Sequence, residues 1–177
     1  LNIFSKHLPR GGTILDIGCG PGRDAERFTQ LGFTVCGIDI SAEMVKHARK
    51  RVPEAKFYQD DLLDLKSPLA NRQFDGIWCS ASLLHIPHAL FEKALINIVG
   101  LMKTRSTLYV SLKEGTGEKF VEDKRYNSGK KFWAYYNLAE LTEHLASFRL
   151  KLIYSDTQAS KKDNETRWVY IIAQKEE

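Results

Sequence analysis

The chain has 177 residues, of which 43% are hydrophobic and 27% charged, and its formal net charge is +4. This composition is typical of one folded domain and excludes an intrinsically disordered chain; no apolar run approaches the ~18 residues of a membrane span, and no signal peptide is visible. The basic residues are scattered and the charge is mild, so the composition does not favour a nucleic-acid partner.

Five apolar segments in the first two thirds of the chain predict β-strands. They span residues 13–17, 34–39, 56–59, 74–79 and 106–112. The second segment is almost continuously apolar, which indicates a strand covered on both faces, as in a parallel sheet.

Helical patterns separate several of these strands. Apolar residues recur at helical spacing from Ala25 until Gly32, a common residue after a helix. Ser41 is a favourable N-cap for a second helix, which must end before Pro53. Pro87 begins a third helix with one broad apolar face.

Two segments lack a clear helical pattern. Residues 62–73 are barely long enough for a crossover between parallel strands, so any helix there should be short or irregular. Residues 113–131 are polar, contain three glycines and show no periodicity. Because a segment of this length is often functional, we predict that residues 113–136 form a lid or substrate loop.

The C-terminal part combines one helix with two strands. Asn137, followed by Glu140 three residues later, resembles a capping box at the start of a helix. Residues 150–157 and 167–173 then predict two antiparallel strands joined by a polar turn. The alternation of strands and helices along the whole chain predicts a mostly parallel sheet with helices on both faces, and a ligand site at the carboxyl ends of its strands.

Alternate glycines connect the first strand to the first helix, within residues 14–22. Gly18, Gly20 and Gly22 permit a sharp turn and a close approach to a ligand at the start of a helix. A dinucleotide site would favour the spacing GxGxxG, but here the third glycine comes one residue earlier. The observed pattern, with Asp16 two residues before the first glycine, resembles motif I of the class I S-adenosylmethionine (SAM) dependent methyltransferases.

This resemblance covers essentially the whole chain, and motif I is its most specific part. It implies one domain over residues 1–177 with a three-layer, Rossmann-like α/β fold. The expected sheet has seven strands in the order 3-2-1-4-5-7-6, with strand 7 antiparallel. Members of the family usually carry a further N-terminal helix over the cofactor, which we expect to be truncated here. One departure is residues 103–106, where the family usually has Pro-Gly-Gly.

The resemblance also implies the cofactor, S-adenosyl-L-methionine, with S-adenosyl-L-homocysteine as product. The expected cofactor-binding residues lie at the ends of the first four strands or directly after them and are Asp16, Gly18, Cys19, Gly20, Gly22, Asp39, Ile40, Met44, Asp61, Leu62, Ser80 and Ala81. Asp39 would accept hydrogen bonds from the ribose hydroxyls, or would only cap the next turn. Ile40 and Met44 would sandwich the adenine, or would belong to the core.

The ends of the third and fourth strands complete this expected site. By resemblance, Asp61 accepts the adenine amino group and the N–H of Leu62 reaches the ring. The alternative for two adjacent carboxylates is a solvated turn, which is the expectation for Asp60. Ser80 and Ala81 would offer backbone groups to the cofactor.

Residues after the fourth strand are candidates for acceptor chemistry. His85 is the residue here that can act as a base near neutral pH, although a structural loop histidine is the alternative. Lys113, Arg125 and Tyr126 resemble positions in an uncharacterised bacterial subgroup of the family. They would bind an anionic or aromatic substrate, or would pack the lid onto the sheet.

The function that the resemblance implies is methyl transfer to an unidentified small molecule. A tRNA or other nucleic-acid modifying methyltransferase is a second hypothesis, and a SAM-binding protein without catalysis is a third. Cys19, Cys36 and Cys79 lack CxxC spacing and therefore indicate buried reduced thiols in a cytoplasmic protein, with no metal site. The sequence predicts neither the oligomeric state nor the acceptor.

Overall fold

The computed structural model describes residues 1–123, 129–160, 163 and 165–177. Its strands are β1 Thr13–Ile17, β2 Thr34–Asp39, β3 Lys56–Gln59, β4 Phe74–Ser80, β5 Met102–Lys113, β6 Glu118–Glu122, β7 Lys130–Ala134, β8 Leu150–Ala159 and β9 Arg167–Lys175. Its α-helices are α1 Asn2–Lys6, α2 Arg23–Gln30, α3 Ala42–Arg51, α4 His88–Gly100 and α5 Leu138–Ser147. Short 3₁₀ helices cover Pro68–Asn71 and Leu83–His85.

Seven strands form one sheet in the order β3-β2-β1-β4-β5-β9-β8. Strands β1 to β5 pair in parallel, and β9 is antiparallel to both of its neighbours. The predicted order 3-2-1-4-5-7-6 is confirmed, because β6 and β7 form a separate hairpin and raise the numbers of the last two strands by two. The topological switch therefore lies between β1 and β4, where a ligand site is expected.

Helices cover both faces of this sheet, as the alternation of elements predicted. On one face Phe4 of α1 and Phe28 of α2 pack with Trp78 of β4. On the other face residues of β1, β2 and β4 pack with Phe91 of α4 and Leu141 of α5. Two apolar clusters thus sandwich the sheet and hold the carboxyl ends of β1, β2 and β4 in fixed positions. No helix within the described ranges is long and apolar enough to cross a membrane.

Local capping explains where two helices begin. The hydroxyl of Ser41 accepts a hydrogen bond from the N–H of Met44 at 3.3 Å, and Asn137 Oδ1 accepts one from the N–H of Glu140 at 2.8 Å. Both caps were predicted from residue type, since short polar side chains satisfy the first free N–H groups of a helix.

Asp60 organises the irregular crossover after β3. Its carboxylate accepts hydrogen bonds from the N–H groups of Asp61, Lys66 and Ser67, and these contacts lower its pKa although its partial burial acts in the opposite direction. Asp60 thus lies partly exposed in a turn and also holds that turn together. As predicted, the crossover contains only a 3₁₀ turn, Pro68–Asn71.

The polar segment after β5 is more regular than its sequence suggested. Strands β6 and β7 pair in antiparallel register from Glu118 opposite Ala134 to Glu122 opposite Lys130. Nearly all of β6 is exposed, so its side chains show no apolar alternation that would have predicted a strand. We refer to residues 118–134 as the hairpin; residues 124–128 lie outside the described residues.

A bulge near the start of β5 holds a strained residue. Arg105 has φ 62°, in the left-handed region, and β5 begins at Met102 with a register shift against β4. We expect Arg105→Gly to raise the free energy of unfolding by about 0.5–1 kcal/mol, because glycine adopts this conformation without a Cβ clash. Urea denaturation measures the effect. Arg105→Ala is the matched control: it keeps the Cβ, and an equal gain in that variant would refute the strain argument.

Candidate functional site

The glycine turn lies at the carboxyl ends of β1 and β2. Gly18, Gly20 and Gly22 have φ values of 72°, 51° and 80°, so each occupies the left-handed region. A Cβ on Gly18 would collide with the side chain of Ser82, and one on Gly22 would lie 3.1 Å from the Cα of Ala48. Around Gly20, by contrast, no atom lies within 4 Å of the Cβ position. Gly20 is therefore the open point of the turn, where a ligand can approach the backbone.

Asp39 fixes the shape of this turn from the end of β2. Its Oδ2 accepts a hydrogen bond from the N–H of Gly20 at 2.8 Å, and its Oδ1 accepts one from the N–H of Ser41 at 2.9 Å. The side chain thus does cap the next turn, as one interpretation of the sequence held. Because a carboxylate oxygen can accept two hydrogen bonds, each oxygen keeps capacity for a ligand hydroxyl.

Asp16 is buried beneath the glycine turn, with 3% of its surface exposed. Its Oδ2 has no hydrogen-bond partner in the structure. Burial raises its pKa well above the ordinary value, and the negative charges of Asp24 and Asp39 raise it further. An uncompensated buried carboxyl group is costly, so this position fits a cationic ligand group that would neutralise it.

The cysteines contribute no nucleophile to this site. Cys19, Cys36 and Cys79 are free and buried, as predicted. Burial raises the pKa of each of these thiols, which keeps them protonated at neutral pH. The described residues contain no group of three or more His, Cys, Asp or Glu side chains able to hold a metal ion.

Apolar and acidic groups border the turn on the side of β2 and β3. Ile40 is 69% exposed although it is a large aliphatic residue, and Met44 is half-buried on the first turn of α3. Asp61 Oδ1 accepts a hydrogen bond from the N–H of Leu63 at 2.9 Å, and Leu62 is buried. A flat ring that covered Ile40 would remove this exposed apolar surface from water.

The end of β4 is held by β5. Ala81 has φ 53°, and its N–H donates to the backbone oxygen of Ser111 at 3.2 Å and to its hydroxyl at 3.0 Å. Ser80 pairs with Ser111 in the sheet. Since the N–H of Ala81 already donates to Ser111, a cofactor contact through Ala81 requires another of its atoms.

His85 connects the end of β4 to the hairpin. Its Nδ1 lies 3.1 Å from the carbonyl oxygen of Phe132, and its ring centroid lies 4.9 Å from that of Trp133. Because a carbonyl oxygen only accepts hydrogen bonds, Nδ1 carries the hydrogen and the neutral ring keeps a lone pair on Nε2. Desolvation is the largest effect and lowers the pKa of His85; the charges of Lys131 and Lys113 act in the same direction, while the hydrogen bond to Phe132 and the charge of Asp39 offset part of the shift. The ring is therefore neutral, with Nε2 as its basic atom, at neutral pH.

Several residues near His85 were not predicted from the sequence. Ser82 lies against Gly18, Lys131 approaches the ring of Trp133, and His88 Nε2 lies 3.1 Å from the carbonyl oxygen of Tyr135. Lys113, which was predicted, also approaches the ring of Trp133. The spacing of two histidines three residues apart was the only local signal. Of the predicted substrate residues, Lys113 belongs to this group, whereas Arg125 and Tyr126 lie outside the described residues.

A family model described as a methyltransferase domain matches residues 14–105, just over half of the chain. The match contains the glycine turn, Asp39, Asp61 and His85. The chain belongs to the class I SAM-dependent methyltransferase family. The hairpin and the last two strands lie beyond the matched residues, so family membership rests on the part that forms the glycine turn and the switch point.

Relatives in this methyltransferase family act on different acceptors, to judge by their names. A 2-methyl-6-phytyl-1,4-hydroquinone methyltransferase of Synechocystis is 39% identical over 52% of this chain and 30% of its own length. A ubiquinone biosynthesis O-methyltransferase of Xanthomonas campestris is 34% identical over 62% of this chain and 46% of its own length. The chain thus spans less than half the length of these curated relatives.

Solved methyltransferase structures share the whole fold. A SAM-dependent methyltransferase from Methanosarcina mazei has a TM-score of 0.86 at 20% identity, covering 99% of this chain and 98% of its own. A 1,6-didemethyltoxoflavin N1-methyltransferase from Burkholderia thailandensis, solved with S-adenosylhomocysteine, has a TM-score of 0.80 at 21% identity, covering 99% and 76%. At these identities the likeness concerns the fold.

Proposed function

We propose that this chain binds SAM at the carboxyl ends of β1 and β2 and transfers its methyl group to a small-molecule acceptor. The observation that carries the proposal is the combination of an open glycine turn at Gly20 with an unpaired, buried carboxyl group at Asp16. SAM carries a cationic sulfonium and an ammonium group, and either would compensate the charge of Asp16. A bacterial cytoplasm is the setting that we propose, supported by three buried free thiols and by bacterial relatives.

Each part of the cofactor has a matching group in this chain. The remaining lone pairs of Asp39 suit the two ribose hydroxyls, and the exposed side chain of Ile40 suits one face of the adenine. Met44, Asp61 and Leu62 follow on the same edge of the sheet and suit the other face and the edge of the ring. Binding of this kind orients the cofactor, which carries the reactive methyl group.

Catalysis depends mainly on alignment and on removal of the acceptor proton. Bound SAM supplies a methyl group that is already activated by the sulfonium. The chain holds the acceptor close to this methyl group and excludes water. We assign this role to residues 113–136, which include the hairpin, acting as a lid. His85 Nε2 accepts the proton of a hydroxyl or amino acceptor, because its ring is neutral and its tautomer is set by Phe132.

Calorimetric titration tests the proposed cofactor. We expect SAM and S-adenosylhomocysteine to bind and NAD not to bind, and Asp39→Ala to weaken SAM binding about 30-fold through the loss of charge-assisted hydrogen bonds worth about 2 kcal/mol. Asp163→Ala is the matched control, since Asp163 also accepts two backbone N–H groups but lies in the turn before β9. NAD binding, or SAM binding that is equal in both variants, would contradict the proposal.

A further inference from the structure

We propose that His88 and Glu118 are positioning residues, which hold the hairpin where the carbonyl group of Phe132 sets the tautomer of His85. The inference rests on the proposed function, because it concerns how the base of the same site keeps a free nitrogen for the proton of the acceptor. The role of both residues passes through His85 and requires no contact with SAM or with the acceptor.

Two histidines three residues apart donate to two carbonyl groups three residues apart. His85 Nδ1 lies 3.1 Å from the carbonyl oxygen of Phe132, and His88 Nε2 lies 3.1 Å from that of Tyr135. Since a carbonyl oxygen only accepts hydrogen bonds, each of these nitrogens carries hydrogen, and the two rings are held in opposite tautomers. Both bonds therefore depend on one placement of residues 132–135 against the end of β4 and the start of α4.

Glu118, the first residue of β6, ties the other strand of the hairpin to the same place. Its carboxylate accepts a hydrogen bond from the N–H of His88, the first residue of α4, and its Oε1 lies 4.0 Å from His88 Nδ1. The N-cap residue Pro87 makes no side-chain hydrogen bond, so Glu118 satisfies a free N–H at this helix start. His88 thus contacts the chain at the beginning of β6 and again just after β7.

Apolar burial anchors the base of the hairpin without setting its angle. Ala134 and Tyr136 are buried, and the ring of Tyr136 lies 4.5 Å from that of His88, whereas nearly all of β6 is exposed. Burial of apolar surface is not directional, but hydrogen bonds are. The contacts of His88 therefore fix the direction from which the carbonyl group of Phe132 meets His85.

The bond to Phe132 selects the less common form of a neutral histidine. In water the imidazole side chain carries its hydrogen mainly on Nε2, and the hydrogen bond made by one nitrogen decides which tautomer is present in a protein. Hydrogen on Nδ1 of His85 leaves Nε2 free as a base. If the carbonyl group of Phe132 moved away, hydrogen would return to the atom that has to accept the proton.

NMR of the whole chain with isotope-labelled histidine rings distinguishes the two tautomers and requires no acceptor. At a pH where the rings are neutral, we expect hydrogen on Nδ1 of His85 and on Nε2 of His88. His88→Leu/Glu118→Ala removes both contacts with the hairpin. In this variant the ratio of Nδ1–H to Nε2–H in His85 should fall about fivefold or more, the factor that corresponds to the loss of one hydrogen bond.

Matched variants separate positioning from a general loss of structure. His88→Gln/Glu118→Gln should keep hydrogen on Nδ1 of His85, because the glutamine amide places an N–H near the position of Nε2 and an amide oxygen still accepts from the backbone. His144→Leu removes a histidine of α5 whose ring lies 6.3 Å from that of Tyr136, and it should also keep this tautomer. The indole N–H of Trp78, bonded to Asp24 at 3.0 Å, reports that each variant is folded.

Two results would overturn the inference. One is hydrogen on Nε2 of His85 in the wild-type protein, which needs no variant; the other is an unchanged tautomer of His85 in His88→Leu/Glu118→Ala. Where the double variant does not fold, the single variants His88→Leu and Glu118→Ala take its place, and an unchanged tautomer in both has the same meaning. SAM titration of the same samples separates the two proposals, because intact SAM binding with an unchanged tautomer refutes only the positioning role.

Discussion

Replacing Asp16 by asparagine is expected to stabilise the unliganded protein and to weaken SAM binding more than 100-fold. Asp16 is buried, its Oδ2 has no partner, and burial raises its pKa. A carboxyl group with a raised pKa in the folded state stabilises the fold fully only below its unfolded pKa near 3.8, and this stability is lost as pH rises through the folded pKa. Asparagine keeps the shape without the charge, so we expect a gain of about 1 kcal/mol or more at neutral pH.

The opposite effect on SAM binding follows from the same charge. A cationic ligand compensates an ionised Asp16, so SAM binding should release a proton from this residue and become tighter as pH rises. Loss of a buried charge partner costs about 3 kcal/mol, which corresponds to more than 100-fold in affinity. Titration in two buffers of different ionisation enthalpy measures the released proton, which should be absent in Asp16→Asn.

Asp75→Asn is the contrasting control. The carboxylate of Asp75 accepts hydrogen bonds from the N–H of Thr13 and from Lys103 Nζ at 2.8 and 2.9 Å, and its pKa is lowered. Its replacement should destabilise the protein and leave SAM binding unchanged. If Asp16→Asn behaved in the same way as Asp75→Asn, Asp16 would be a structural residue and the cofactor proposal would lose its main support.

The central part of the fold was predictable because burial on both faces leaves a strong pattern in the sequence. The bounds of β1, β2 and β3 agree with those predicted, and the sheet order followed from the resemblance at the glycine turn. The hairpin was not predictable, since β6 is almost entirely exposed and its pairing with β7 is a tertiary property. Where neither face of a strand is buried, alternation carries no signal.

The candidate site also has a part that was predictable from the sequence and a part that was not. The glycine spacing and the acidic residues at the ends of β1, β2 and β3 were recognisable because they are local in sequence. The partners of His85 were not, because Phe132 is 47 residues away and its contact is a backbone carbonyl. Similarly, nothing local connects Ser82 with Gly18, although the two come into contact in the fold. Contacts between residues that are far apart in the sequence depend on how the loops pack on the sheet.

Substitution of His85 should reduce turnover about 100-fold or more without changing SAM affinity, because a positioned base contributes 10²–10⁴-fold. His85→Asn and His85→Ala separate catalysis from structure. Asparagine retains an N–H near the position of Nδ1, which can still donate to the carbonyl oxygen of Phe132, but it has no basic atom in place of Nε2. We expect both variants to lose turnover equally. The measurement uses methyl transfer from labelled SAM to an acceptor found by screening small molecules that carry hydroxyl or amino groups.

The pH profile identifies the role of His85 more directly than the loss of turnover does. Desolvation and two lysines lower the pKa of His85 below 6.5. For the wild-type protein, kcat/KM should therefore be constant around neutral pH and should fall only when the pH drops below the pKa of His85, where the imidazole gains a proton. The residual activity of His85→Asn should lack this acidic decline. Activity restored by asparagine but not by alanine would instead assign His85 to holding the hairpin through Phe132, and the acceptor would then need no base from this chain.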